Sequence, residues 1–286
     1  MFNIFWNQVE IDKPYKSLIF SKIDFIVLLR AGFNLNLSQC FEKLLSYFYV
    51  SFSGQWKSER IEKITDKFWP GPLTIVLNRA KENNISLLVS SGLKTIALRQ
   101  PNNEIALKLI KKLNKPIAAP SANKFGLLSP TSALHVKKQF KKNNDISFII
   151  DGGKTDIGIE STVIGLVEDE KLVIYRHGGI SKEEIEETIK EEIKELTEDN
   201  NTGQGNISPG LKKKLDSPKV PLRMNVLNPK EDEIFIGFGP EYGEPNLSLS
   251  GDLNEAAANL FSLLEKYEDV GKVICVSPIP LNGIGT

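Results

Sequence analysis

Histidine and cysteine are both scarce in this chain of 286 residues, which holds only His135, His177, Cys40 and Cys275. Two thiols so far apart in sequence build neither a disulfide framework nor a metal cluster, and two imidazoles supply too few ligands for zinc. No resident metal is therefore expected, and the thiol usage suits a reducing cytoplasm. No apolar run reaches the roughly 18 residues of a membrane span, so neither a transmembrane helix nor a membrane partner is expected. The opening MFNIFWNQVEIDK has no basic region followed by a small-residue cleavage site, so no secretory signal is expected either. Net charge is missing as well: Lys+Arg and Asp+Glu both number 36. No global positive field calls for nucleic acid, although a local basic face stays open.

What is present is enough apolar material for a sizeable core, at 41% hydrophobic, most naturally divided into one larger and one smaller domain. The most informative stretch is Lys115 to Thr131, KPIAAPSANKFGLLSPT. It opens with a short apolar run suited to a buried strand, starting at Pro116. It then breaks into Ser121-Ala122-Asn123, Gly126 and the hydroxyls Ser129 and Thr131 around Pro130. Such a loop at a strand end presents hydroxyls, a carboxamide and backbone N–H groups to phosphate or carboxylate oxygens. The same residues also make a good turn with no ligand at all. Similar punctuation recurs in KFWPGPLT (from Lys67), TIALRQP (from Thr95), Asp151-Gly152-Gly153, GIESTV (from Gly158) and Tyr175-Arg176-His177-Gly178-Gly179-Ile180. Arg99 and Arg176 close two of these strand ends with planar cations suited to carboxylate or phosphate. One pocket built from several strand ends is the expectation.

In this order and spacing the six motifs, with Ser208-Pro209-Gly210 after them, resemble the YrdC-type threonylcarbamoyl-AMP synthases in their long, two-domain form, over roughly residues 55–286. The resemblance implies an α/β fold, a YrdC-like twisted α/β open-barrel domain followed by a linker and a small Rossmann-like α/β domain. It also implies a motif like Pro-Thr-Glu-Thr-Val-Tyr-Gly-Leu, a Lys-x-Arg motif and a strand ending in His ahead of residue 57. None of these is present. Residues 1–56 hold 13 of the 24 aromatics without a clean period, and are read as a diverged or replaced segment, or as an aromatic-rich segment that packs on the core. Residues 57–197 are then the catalytic domain, 198–230 the linker and 231–286 the small C-terminal domain. The chain ends at LNGIGT, short of the terminal helix that the resemblance implies, so this last domain is expected to be incomplete.

Periodicity fills in the elements. A helix is predicted over Ser58–Lys67 with Ile61 and Ile64 inward, ending before Pro70. Strands are predicted at Leu73–Leu77, Thr95–Leu98, Ile146–Ile150, Val173–Tyr175, Glu233–Gly239 and Gly271–Ser277, with Ile85–Val89 a strand or a turn. Asn103–Lys112 reads as a helix burying Ile105, Ala106, Leu109 and Ile110. A further helix starts near Thr131, with Leu134, Val136 and Phe140 as core positions and His135 structural or solvated. Ser181 and Glu184 form a capping box for a helix running to Leu196 along Ile185, Ile189 and Ile193. Asp252–Tyr267 reads as an amphipathic helix, and no internal repeat is visible.

The resemblance also implies the chemistry. Threonine and bicarbonate give an N-carboxylated threonine, whose carboxylate oxygen attacks the α-phosphate of ATP. Threonylcarbamoyl-AMP and pyrophosphate result, with Mg²⁺ bridging phosphate oxygens. The product serves the downstream transferase machinery that makes N6-threonylcarbamoyladenosine (t6A) at tRNA position 37. Carried over residue by residue, Thr95, Ser121, Asn123, Ser129 and Arg176 match ATP-contacting positions. Arg99, Ala119 (through its backbone) and Ser161 match threonine-contacting ones. Glu160 reads as a structural hydrogen-bond partner, and the family commonly has Pro at His177. No residue is assigned as a catalyst, since the reaction asks for positioning and charge neutralisation. The alternative is a catalytically impaired YrdC-like protein that binds double-stranded RNA or tRNA by shape. It is favoured by the absent N-terminal motifs, while the downstream pocket motifs favour the synthase. A carbamoyl-adenylate domain using another acyl donor is disfavoured by the Ser-Pro-Gly linker.

Overall fold

The structure is a computed structural model, and it describes residues 17–20, 58–79, 86–87, 89–90, 92–113, 117–124, 126–141, 146–166, 171–195 and 217–286. The segment 1–56, apart from the backbone of Ser17–Phe20, lies outside the described residues. So do Leu196 and the Ser208-Pro209-Gly210 motif. The chain divides into two compact units. One takes the described residues of Asp24–Pro120, Ile159–Lys212 and Pro280–Thr286; the other takes those of Met1–Ile23, Ser121–Gly158 and Lys213–Ile279.

The first unit is a five-stranded mixed sheet in the order β3-β2-β5-β6-β7. Its strands are β2 (Leu73–Asn78), β3 (Thr95–Leu98), β5 (Thr162–Leu166), β6 (Leu172–Arg176) and β7 (Lys194–Glu195). Alternation runs along β2, β3 and β5, while the β5–β6 pairing shifts register between Val163 and Ile164. Leu73, Ile75 and Leu77 of β2 join Ile96, Leu98, Ile164, Leu166, Leu172 and Ile174 in one apolar cluster. That face packs on helix α1 (Glu59–Phe68), through Ile61 and Ile64, and on helix α4 (Lys182–Ile189), through Ile185 and Ile189. The intervening residues Thr74, Thr95, Ala97, Val163 and Gly165 point to the opposite face. β3 and β6 run antiparallel to their neighbours, while β5 runs parallel to β2. One edge of the sheet therefore gathers the starts of β2 and β5 and the ends of β3 and β6.

Helix α2 (Glu104–Leu113) buries Ala106 and Ile110, but Ile105, expected inward, is 39% exposed. The expected long helix after Ser181 is also shorter. The capping box forms, yet α4 ends at Ile189 because Lys190 turns left-handed at φ 60°. The chain then re-enters the sheet as β7, and Ile193 is still buried against the same core. Residues 117–120 form no strand, and Ala118 and Pro120 are exposed, against the expected buried strand before the central loop.

The second unit holds a three-stranded parallel sheet in the order β8-β10-β9: Leu222–Arg223, Ile274–Val276 and Ile234–Ile236. Helix α5 (Leu253–Glu268), capped by the Asp252 carboxylate on the Glu255 amide, connects β9 to β10 as a β-α-β crossover. β8 arises inside the stretch expected as linker. Strand β1 (Ser17–Phe20) pairs in parallel with β4 (Ile146–Ile150) in a separate two-stranded sheet, so Asp151-Gly152-Gly153 closes a different sheet from the other motifs. There the Asp151 carboxylate accepts from the Gly153 amide and makes a local turn.

The central loop leads into helix α3 (Ala133–Gln139), capped by the Ser132 hydroxyl on the His135 amide. Of its expected core positions Val136 is fully buried, whereas Leu134 is 70% exposed. Seven residues make two turns, too short for a second buried row. Among the described residues no helix is long and apolar enough to cross a membrane.

Ile64→Ala should cost roughly 2–5 kcal/mol in urea unfolding, as a buried cavity-forming change. Leu134→Ala should stay within about 0.5 kcal/mol of the parent in the same titration.

Candidate functional site

The sheet edge just described is crowded with polar groups whose positions follow from strand pairing. β2 begins after Trp69-Pro70-Gly71-Pro72, a turn with a cis Trp69–Pro70 peptide. It is fastened by the Gly71 amide on the Gln100 carbonyl (2.9 Å) and the Trp69 indole N–H on the Leu73 carbonyl (2.8 Å). Arg99, one residue past β3, donates its Nε to the Gly71 carbonyl at 3.0 Å. The guanidinium plane is thereby oriented by backbone, which suits it to a carboxylate.

Ser161 immediately precedes β5 and is 1% exposed. Its Oγ lies 2.8 Å from Oγ1 of the buried Thr74. Arg176, the last residue of β6, donates Nε and Nη2 to the Ser161 carbonyl at 3.1 and 2.9 Å, and Nη2 also reaches the Ser161 Oγ at 3.1 Å. The Glu160 carboxylate is 3.7 Å from Nη2, beyond hydrogen-bond range, and its buried Oε2 has no hydrogen-bond partner. Next in the chain, Thr162 Oγ1 donates to the Ile180 carbonyl at 2.6 Å and lies 2.9 Å from the Ile180 amide. Gly179 N–H donates to the Glu160 carbonyl at 3.0 Å. Gly178 is obligatory here for space. A Cβ on it would stand 2.4 Å from the Glu160 carbonyl oxygen and 2.5 Å from the Ser161 carbonyl carbon. The paired motifs GIESTV and Tyr175-Arg176-His177-Gly178-Gly179-Ile180 are thus two halves of one knot. His177, beside it, pairs with Glu195 at 3.4 Å.

Thr95 takes a different position. It pairs with Asn78 at the far end of β2, about 13 Å along the strand from Arg99. Thr95, Ala97 and Arg99 nevertheless share one face of β3, the face turned from the apolar core. Ala119 lies in the irregular segment 117–120.

Ser121, Asn123 and Ser129 belong to the second unit and are ordered by it. Asn123 Nδ2 donates to the Leu127 carbonyl at 2.6 Å, so this carboxamide holds the loop. Gly126 takes φ 81°, a left-handed conformation that suits glycine. Gln139 Nε2 donates to the Leu128 carbonyl at 2.9 Å, and its Oε1 accepts from the Lys124 amide. Leu128 is buried in the C-terminal core with Ile236, Phe238, Leu247 and Ala256. Ser129 and Thr131 are buried as well.

The arrangement is one for binding. Thr74 Oγ1 and Arg176 Nη2, both within hydrogen-bond distance of the Ser161 hydroxyl, are not bases that could activate it as a nucleophile. Among the described residues no group of three or more His, Cys, Asp or Glu side chains is placed to hold a metal ion. Thr74 and Gly178 sat in motifs read from the sequence without a role assigned to them. For Thr74 the signal was available: alternation in LTIVLN puts it opposite Leu73 and Ile75.

Comparison with known proteins adds two family matches. Residues 39–178 match the Sua5/YciO/YrdC model described as telomere recombination, and residues 180–286 match the C-terminal domain of threonylcarbamoyl-AMP synthase. The first match begins inside the segment 1–56. The threonylcarbamoyl-AMP synthase of Pyrococcus abyssi is 38% identical over 245 residues, 79% of this chain and 71% of that protein. That of Bacillus subtilis is 42% identical over 180 residues, 62% of this chain and 50% of that one. A crystal structure of P. abyssi Sua5 complexed with L-threonine aligns at a TM-score of 0.70 and 30% identity, covering 94% of this chain and 87% of that one.

Gly178→Ala should push the Glu160–Ser161 backbone off β6. An unfolding free energy lower by roughly 1–3 kcal/mol is expected in urea titration.

Proposed function

The chain belongs to the threonylcarbamoyl-AMP synthase family, and from that premise we propose that it makes threonylcarbamoyl-AMP and pyrophosphate from L-threonine, bicarbonate and ATP. The observation that carries the proposal is the sheet edge where Arg99 and Ser161 stand at the adjoining starts of β2 and β5. A fixed cation and a buried hydroxyl there suit a small amino acid with a carboxylate. The crystal structure of the P. abyssi relative with L-threonine supports threonine as that amino acid.

In this reading Arg99 takes the threonine carboxylate, with Ser161 and the Ala119 backbone completing the amino-acid contacts. Thr95, Ser121, Asn123, Ser129 and Arg176 serve ATP. Arg176 has a second duty, because its guanidinium holds the Ser161 carbonyl and so links nucleotide and amino-acid positions. Asn123 acts through the loop that it orders. The carboxylate oxygen of the carbamate attacks the α-phosphate, the new P–O bond forms as the bond to pyrophosphate breaks, and no covalent enzyme intermediate is required. Holding two anions in line lowers the barrier by positioning and by charge compensation. Mg²⁺ enters with ATP, on its phosphate oxygens, as part of the substrate. The product is a mixed anhydride that the t6A transferase machinery would consume at adenosine 37 of tRNA, in the cytoplasm. An RNA-binding role, for tRNA or double-stranded RNA, is the competing proposal, and the absent Lys-x-Arg motif favours it.

The deciding experiment is pyrophosphate release by the purified chain with ATP, Mg²⁺ and bicarbonate, with and without threonine. Threonine-dependent release is expected. ATP bound in calorimetry without any release would leave the RNA-binding role. Arg99→Ala should raise the threonine KM roughly 10- to 100-fold and the ATP KM far less, since a charged hydrogen bond is lost. Ser121→Ala should weaken ATP binding while the melting transition stays in place; a collapsed transition would make that serine structural.

A further inference from the structure

His135 lies outside the sheet-edge site, yet it sits between the central loop and the C-terminal sequence. Its Nδ1 is 3.3 Å from the Thr131 amide N–H and 3.2 Å from the Thr131 Oγ1. Its Nε2 lies 3.2 Å from Oε2 of Glu265, on helix α5. A backbone amide can only donate, so Nδ1 must be the acceptor and the proton must sit on Nε2, pointing at the carboxylate. The ring and the Glu265 side chain are 13% and 15% exposed. Glu265 is itself held. Lys138 Nζ bridges its Oε1 and Asp269 Oδ2, both at 2.6 Å, and Lys219 joins Asp269 to Glu268. Two further contacts tie the loop to the same body: Leu128 in the C-terminal core, and a parallel bridge from Leu127 to Ser217.

We infer that His135 is a positioning residue for the nucleotide loop, oriented by Glu265 of the C-terminal region and holding Thr131 so that Ser129 is presented to ATP. The inference rests on the proposed assignment of Ser129 to ATP. It explains why the loop and a helix some 130 residues later in sequence form one unit. The C-terminal region then helps to order the central loop of its own unit rather than merely following it.

The arrangement also has a pH signature. The groups facing His135 are Glu265 and Glu268 of α5, Lys138 of its own helix and Lys154 after β4. Burial dominates and lowers its pKa below the ordinary 6.5. The neutral ring is thus the native form. Native protein binds fewer protons than unfolded chain, so this contribution is complete above about pH 6.5 and declines as pH falls below it. Protonation would place an N–H on Nδ1 against the Thr131 amide, donor facing donor.

The test compares His135→Leu, His135→Asn, Glu265→Ala and the double variant His135→Leu/Glu265→Ala in the full chain. An asparagine carboxamide oxygen can stand near the place of Nδ1 and accept from Thr131, whereas leucine cannot. His135→Leu should raise the ATP KM roughly tenfold, as a buried amide loses its acceptor, with the threonine KM within about twofold. His135→Asn should restore the ATP KM to within about threefold of the parent and lack the acid limb below pH 6.5 that is expected of the parent. Glu265→Ala should move the same parameter in the same direction, and the double variant should be no worse than His135→Leu alone. Amide exchange at Thr131, followed by NMR without nucleotide, should be protected in the parent and in His135→Asn and faster in His135→Leu. Equal impairment in the leucine and asparagine variants, additive losses, or unchanged Thr131 exchange would overturn the inference. If the parent shows no ATP binding, the functional proposal fails, while Thr131 exchange still decides whether His135 holds the loop.

Discussion

The carbonyl and hydroxyl of Ser161, held by Arg176 from β6 and by Thr74 from β2, form the constraint on which the sheet edge depends. A backbone carbonyl taking two charge-assisted bonds from one guanidinium is a fixed point, since withdrawing the guanidinium would strand a buried acceptor. From it follow the register of β5 against β6 and the close approach of Gly178 to Glu160. The position of the Ser161 hydroxyl beside β2 follows too. Arg99 meets the same edge from the other side by bonding the Gly71 carbonyl. Most of the described polar contacts at this edge run from a side chain to backbone, which orients the side chains that make them.

The central loop is held by different means. Its apolar residue Leu128 is buried in the C-terminal core, its carboxamide Asn123 bonds within the loop, and its last residue Thr131 meets His135, which faces Glu265 in a lattice with Lys138, Lys219, Glu268 and Asp269. Ion pairs whose lysines stay half-exposed contribute little singly, but several sharing charges hold a geometry better than one. Asp269 shows the effect. Hydrogen bonds from Lys138 and Lys219 hold its carboxyl below the usual carboxylate range. Cys275 belongs to neither device. Burial and the Glu233 carboxylate raise its thiol to about 11, which keeps it an inert core group.

Much of this was legible in the residues themselves. The strands around Leu73–Leu77 and Thr95–Leu98 were legible, and the capping pair Ser181/Glu184 located a helix start. Glycine and proline punctuation located the strand ends. Such signals are local and read directly, because pleat, cap and turn are decided within a few residues. Where the expectation failed, a longer-range effect had overridden the local one. The charged helix after Ser181 could have run on to Leu196. Instead it stops at a left-handed Lys190, where Ile193 stays with the apolar cluster and β7 pairs with β6.

The sequence by itself determined the α/β class, the polar strand ends and the family, because these rest on local period and on motif order. Only the tertiary structure decided that Ser161 and Arg176 close on each other. It alone placed His135 against Glu265. Each of these depends on pairing register or helix docking between segments from a few to some 130 residues apart, and no window of the chain carries that information.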